Sequence, residues 1–243
     1  MPGTDLRHRV AQLYFDLLYN PVYDLTTARL APYQRLQATC IDRLEFAHHD
    51  CVLCVGVGTG NEIRGILSRN GQVDIVGVDL SPAALRRAGN KAIQYGKAVE
   101  LHLMDAQELA FPDKTFDKAL CLHLMGFLPD DRRATAEIVR VLKDGAQFVI
   151  TYPSGNSLLR IGAEAGRSVG LQLKAGRGAK ALEQLVALVA AGLINIPVGL
   201  WVKPRQGFYS RPQLEGMFAS FPLSQLRIEE DGVYQEFIVS GIK

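Results

Sequence analysis

Residues 52–61 read Val-Leu-Cys-Val-Gly-Val-Gly-Thr-Gly-Asn (VLCVGVGTGN). Four apolar residues run straight into Gly56, Gly58 and Gly60. The run predicts a buried strand, because parallel strands covered on both faces show no apolar–polar alternation. The glycines predict a tight loop that a ligand can approach closely, since glycine turns where other residues are strained. Asn61 then opens a helix whose free N–H groups favour negative charge or hydrogen-bond acceptors.

Outward from the loop, strands and helices alternate. Strands are predicted over 52–55, 73–78, 99–104, 116–122 and 146–152, and helices over 61–69, 81–95 and 129–142. Asn70-Gly71 closes the first helix, and Ser81-Pro82 starts the second with a cap and a proline at its first position. This rhythm implies βαβ units with right-handed crossovers. At the end of the chain, apolar runs over 223–229 and 233–242 flank Asp231-Gly232, a hairpin signal. Before the first strand, Leu6, Val10, Leu13, Leu17 and Leu18 recur at helical spacing. Asn20-Pro21 breaks that pattern, and a second helix is expected from 26 to 47.

The totals restrict the possibilities. The chain has 243 residues, 48% of them hydrophobic, and a formal net charge of +2. That charge gives no argument for nucleic acid. Cys51 and Cys54 form a C-x-x-C, but no second pair completes a zinc site, and residues three apart on a strand face opposite ways. Buried structural cysteines and no metal are expected. No signal-like apolar stretch starts the chain, and no uninterrupted apolar run reaches bilayer length, so a cytoplasmic protein is the expectation.

A glycine-rich turn after the first strand of a doubly wound sheet is a nucleotide site. Asp79 ends the second strand 19 residues after Gly60, where an acid can take both ribose hydroxyls. The dinucleotide fingerprint G-x-G-x-x-G is not met, because Asn61 stands where its third glycine would fall. S-adenosylmethionine is the competing ligand.

Residues 51–152 resemble class I S-adenosylmethionine-dependent methyltransferases of small-molecule type. The matching stretches are VLCVGVGTGN, IVGVDLSPAAL, LHLMDAQELAFPDKTFDKALCLHLMGFLPD and EIVRVLKDGAQFVITYP. The resemblance implies an α/β fold: a Rossmann-like doubly wound, mostly parallel seven-stranded sheet with an antiparallel C-terminal hairpin, N-terminal helices and a helical lid insertion. The corresponding division is an N-terminal cap (1–47), a cofactor-binding core (48–152), a lid (153–212) and a closing helix and hairpin (213–243). It also implies roles. Gly56, Gly58 and Gly60 pack against the methionine and ribose parts of S-adenosylmethionine. Asp79 holds the ribose hydroxyls and Leu80 lies along the adenine. Asp105 accepts from the adenine amine, Ala106 supplies a backbone N–H, and Leu122 and His123 stand where methionine and substrate meet. His123 is the candidate base. Tyr23, from leading helices that fold over the cofactor in this family, is the candidate aromatic contact to the sulfonium.

The acceptor is read from the insertion. Residues 153–212 carry eight basic and two acidic residues, leaving this segment at +6 and the rest of the chain at −4. They include the most apolar stretch, 181–196, with Trp201, Phe208 and Tyr209 following. A small hydrophobic or aromatic acceptor methylated at N, O or C, as in secondary metabolism, is the leading expectation. A quinone or phospholipid acceptor, with peripheral membrane contact through 153–212, is the alternative. A lid with its own small core or a homodimer contact would read the same way. An NAD(P)-dependent oxidoreductase and a non-catalytic binding protein are the remaining alternatives. Cys54 is a departure, because many members of the family carry an acid there beside the methionine ammonium. An aspartate at 54 is therefore expected to tighten cofactor binding.

Overall fold

The computed structural model describes residues 14, 18–96, 99–155, 158–201 and 207–243. The chain forms two compact units, residues 1–35 with 157–203, and residues 36–156 with 204–243.

The second unit holds a seven-stranded sheet of order β3-β2-β1-β4-β5-β7-β6. Its strands are β1 (Cys51–Val55), β2 (Asp74–Asp79), β3 (Glu100–Leu103), β4 (Phe116–Cys121), β5 (Leu142–Pro153), β6 (Ser224–Asp231) and β7 (Glu236–Ile242). The first five pair in parallel, and β7 runs antiparallel to both β5 and β6. This is the Rossmann-like, mostly parallel sheet with a terminal hairpin that the sequence predicts.

Strand alternation splits the core in two. Leu53 and Val55 face one cluster with Val76, Phe148 and Ile138. Val52 and Cys54 face the other, with Ile63, Ile66, Ile41 and Val149. The helices α3 (Asn61–Arg69), α4 (Pro82–Gln94) and α5 (Asp131–Val141) cover these faces through residues three and four apart. In α4 the buried positions are Ala83, Ala84, Ala88 and Ala92. Their small size lets α3 come close: a Cβ added to Gly60, at φ 75°, would lie 2.9 Å from the Ala88 Cβ. Ser81 caps α4 by accepting from the Ala84 N–H at 3.1 Å, and Asp130 caps α5 from the Arg133 N–H at 2.9 Å. The short helix α8 (Arg211–Phe218) buries Leu214 and Phe218 against the sheet.

The first unit contains α1 (Asn20–Thr27), the first half of α2 (Ala31–Ile41), α6 (Leu158–Lys174) and α7 (Gly178–Trp201). The last two form a helical hairpin joined by Ser168 Oγ donating to Gln184 Oε1 at 3.1 Å. Arg35 pairs with Glu164 at 2.9 Å. No helix among the described residues is long and apolar enough to cross a membrane.

Three details differ from the expectations. Asn20-Pro21 stands where the α-helical segment α1 begins, directly after π-helical residues 18–19, so helical structure changes type there rather than ending. The predicted helix from 26 to 47 divides between α1 and α2, with a turn at residues 28–29. The terminal hairpin turns through four residues, 232–235, with the Asp231 carboxylate accepting from the Val233 and Tyr234 N–H groups. Of the early helix read from Leu6 to Leu18, residues 6–13 and 15–17 lie outside the described residues, and residues 14 and 18 are helical.

Candidate functional site

The chain enters the sheet at β1, runs outward to β2 and β3, then returns to β4 on the other side of β1. The loops after β1 and β4 therefore diverge, leaving the crevice at which such sheets bind ligands. Gly56, Gly58 and Gly60 all adopt positive φ (68°, 52° and 75°) in this loop. At the base of the crevice the Leu124 side chain, just after β4, reaches the glycine loop: a Cβ on Gly56 would lie 2.9 Å from Leu124 Cδ2.

Asp79, at the end of β2, fixes the loop from the side. Its Oδ2 accepts from the Gly58 N–H and its Oδ1 from the Ser81 N–H, both at 2.8 Å. Leu80, beside it, is 57% exposed, an open apolar ledge. Asp105, after β3, accepts from the Gln107 backbone N–H at 2.8 Å and its side-chain amide at 3.1 Å. The Gln107 carbonyl in turn accepts from the Asp130 N–H at 3.0 Å, so it links the β3 and β4 loops. Ala106 is buried beneath Asp105. The expected cofactor residues Gly56, Gly58, Gly60, Asp79, Leu80, Asp105, Ala106 and Leu122 thus lie on the loops at one edge of the sheet.

His123 follows β4 at φ 56°, a conformation uncommon for a residue with a side chain. It is held there on two sides. Its N–H donates to Thr151 Oγ1 at 2.9 Å, and its Nδ1 lies 2.6 Å from Glu236 Oε1. Tyr234 packs on the ring, with centroids 4.9 Å apart. Glu236 is buried, and its Oε2 has no hydrogen-bond partner among the described residues. With Nδ1–H donated to the glutamate, Nε2, itself a buried atom, would be the ring nitrogen left to accept a proton.

Sequence reasoning missed Glu236, because 113 residues separate it from its partner. It also missed Glu62, in the first turn of α3. Burial raises this carboxyl from its ordinary 4.5 to about 7, with Lys91, Asp79 and His123 also acting on it. Lys91 Nζ donates to Thr59 Oγ1 at 3.2 Å and Asn61 Oδ1 at 2.5 Å, tying α4 to the loop. An acid in the first turn after a glycine loop was the available signal for Glu62.

Glu62 changes the reading of Cys54. That thiol is fully buried, faces the apolar cluster, and is pushed well up by burial and by the Glu62 charge. An aspartate there would be a second carboxyl beside Glu62 in an apolar setting. Cys54→Asp is now expected to lower Tm, and adding Glu62→Gln to restore part of the loss, measured by thermal scans. Glu62 also makes a pH prediction. Its folded-state value is raised, so its contribution is most favourable below about pH 4.5 and is lost as pH rises to about 7. The side chain is partly solvent-exposed, so the loss is about 1–2 kcal/mol rather than the full linkage value. Glu62→Gln should therefore stabilise the protein by this amount at pH 8 and leave it unchanged near pH 4.5. Equal differences at both pH values would refute this.

Tyr23 lies in the first unit. It stacks on Tyr19 at 5.4 Å, meets Tyr33 edge-on at 5.9 Å and donates its hydroxyl to Tyr33 Oη at 3.0 Å. Tyr209, read with the acceptor-binding aromatics, instead belongs to the sheet unit. Its hydroxyl donates to Asp131 Oδ2 at 2.5 Å and its ring meets buried Tyr152 edge-on. Phe208 is exposed, and the Trp201 side chain lies outside the described residues.

The sheet order, with the glycine loop at its switch point, is the fold that the resemblance to class I S-adenosylmethionine-dependent methyltransferases implies. Residues 53–150 match the family described as Methyltransferase domain. Over 101 residues the chain is 40% identical to a phosphatidylethanolamine N-methyltransferase of Cereibacter sphaeroides, covering 41% of this chain and 48% of that one. Over 153 residues it is 28% identical to the ubiquinone/menaquinone biosynthesis C-methyltransferase UbiE of Bordetella avium, with 62% and 59% covered. The chain spans about half the length of the curated relatives it matches. A SAM-dependent methyltransferase from Aquifex aeolicus shares the fold, with a TM-score of 0.57 at 16% identity over 91% of this chain and 96% of that one.

Proposed function

We propose that this chain transfers a methyl group from S-adenosylmethionine to a small hydrophobic or aromatic acceptor. The observation that carries the reading is the glycine loop at the β1–β4 switch with Asp79 bonded to it, and Asp105 in the loop after β3 at the same carboxyl end of the sheet. The residues fit the cofactor. Asp79 has acceptor capacity for paired ribose hydroxyls, Leu80 offers a face for the adenine, and Asp105 can accept from its amine. The Ala106 N–H and the three glycines bring backbone to the ligand, and Leu122 lines the methionine side. Glu62 supplies the carboxylate for the ammonium that residue 54 lacks.

When bound, S-adenosylmethionine supplies an electrophilic methyl group. The protein's part is to align the acceptor and exclude water. His123, held by Glu236, takes the proton of an acceptor that must lose one, such as a phenol, a carbon acid or an ammonium. A buried carboxylate is costly unless it is paired, and the His123 ring is the partner of this one at 2.6 Å.

The second reading is a quinone or phospholipid acceptor at a membrane surface. It is favoured by the activities in the names of the two sequence relatives. Calorimetry tests the cofactor: S-adenosylhomocysteine should bind and NADH should not, and the reverse would make the chain an oxidoreductase. Tritiated methyl transfer to a phenol, a reduced quinone analogue and phosphatidylethanolamine vesicles then separates the acceptors. Cofactor binding with no transfer to any of them would point to a non-catalytic binding protein.

A further inference from the structure

Between Glu164 and Glu183 the chain carries four bases and no acid. Three of these bases, Lys174, Arg177 and Lys180, cluster at the turn between α6 and α7, where residues 173–180 are all exposed. Among the described residues none of the three has a carboxylate partner.

The turn is built rather than loose. Gly176 takes φ 70°, its N–H donates to the Leu173 carbonyl at 3.0 Å, and the Arg177 N–H donates to the Gln172 carbonyl at 2.9 Å. This left-handed glycine cap fixes where the two helices stop and start. On either side stand Leu171 and Leu173, in the last turn of α6, and Leu182 and Leu185, in the first turns of α7. All four are 47–65% exposed. Val189 and Leu193 continue the α7 stripe at helical spacing, both more than half exposed. Scattered surface leucines are ordinary, but exposed leucines on both helices beside a turn with three bases, with Glu183 the one acid among them, make a candidate interaction surface.

We propose that the α6–α7 turn docks on an anionic bilayer surface, with the leucines entering the headgroup–acyl boundary and the three bases facing the lipid phosphates. Charge decides the occupant. Basic residues beside an apolar face are the composition of interfacial membrane elements. A second copy of the chain seated here would bring two unpaired basic clusters together. The inference deepens the membrane-surface reading but does not need it, since docking holds whichever acceptor is methylated.

Co-sedimentation tests it with full-length protein and vesicles of phosphatidylcholine and phosphatidylglycerol, against phosphatidylcholine alone. The protein should pellet with the anionic vesicles, little with neutral ones, and less as salt rises from 0.1 to 0.5 M. The variant K174Q/R177Q/K180Q should bind on the order of a hundredfold more weakly, from three lost surface charges. L182S/L185S should also weaken binding, and its loss should persist at low salt. S-adenosylhomocysteine affinity, which these positions do not touch, shows that each variant is folded. Failure of the wild-type protein to pellet overturns the proposal, as does a charge variant that pellets equally. A dimer in solution that L182S/L185S converts to monomer, with no vesicle binding, assigns the face to a copy of the chain and also overturns it. Absence of methyl transfer to phosphatidylethanolamine or quinone, with vesicle binding intact, counts only against the acceptor reading.

Discussion

Asp79→Ala should weaken S-adenosylhomocysteine binding by about 10²–10³-fold, through two charge-assisted hydrogen bonds at about 1.5–3 kcal/mol each, discounted for water that can replace them. The argument rests on geometry already in place. The two Asp79 oxygens accept from the Gly58 and Ser81 N–H groups, so the carboxylate is held at the loop before any ligand arrives. Little ordering is then required on binding, which is where preorganised sites gain affinity. Alanine removes the acceptor and also releases the Gly58 N–H, so part of the loss will come from a loosened loop. Asp79→Asn separates these parts. It keeps one oxygen and the side-chain shape but removes the charge, and should fall between alanine and the native protein. Calorimetry at fixed salt measures all three. An alanine variant that is folded and within threefold of native affinity would remove Asp79 from the site.

The site was legible in the sequence where local chemistry fixes structure. The 52–60 segment could be read because an unbroken apolar run and three left-handed glycines admit few conformations. Asp79 and Asp105 were legible because each stands at a strand end of the same topology. At Asn20-Pro21 the helical pattern does change, but helical residues lie on both sides of the proline, so it marks a change of helix type and not an end. The closing turn was misplaced because Asp231-Gly232 satisfies a two-residue hairpin, whereas the chain uses the Asp231 side chain to close a longer turn ending at Gln235, φ 53°. Cys54 reads as a gap in the site from sequence, whereas Glu62, whose charge acts on that thiol, comes from a different element. Tyr209 looked free for a ligand because no spacing rule connects it to Asp131. In each missed case the partner is distant in sequence, and only the packed sheet brings it near.

The His123–Glu236 pair is the largest such case, and it makes the strongest prediction about chemistry. If the acceptor loses a proton during transfer, His123→Ala should lower kcat by about 10²–10⁴-fold, the range of a lost general base. S-adenosylhomocysteine affinity should change little, because the ring is assigned to the acceptor's proton and not to the cofactor. Glu236→Gln keeps the volume but can present an N–H to the ring and leave the wrong tautomer. On that basis it should cost on the order of 10–10³-fold in kcat, by the reasoning that applies to any histidine base oriented by a carboxylate. Glu236 acts only through His123, so adding Glu236→Gln to His123→Ala should cost almost nothing more, a nonadditivity that a merely structural role would not produce. The pair also holds an unusual backbone, so thermal stability must be measured beside the rates. His123→Gln serves as the variant that keeps a polar side chain of similar reach. The base assignment fails if the alanine variant is stable, binds S-adenosylhomocysteine normally and turns over at the native rate. The acceptor would then be a nucleophile that carries no proton to lose, and the buried glutamate would be a structural anchor between β4 and β7.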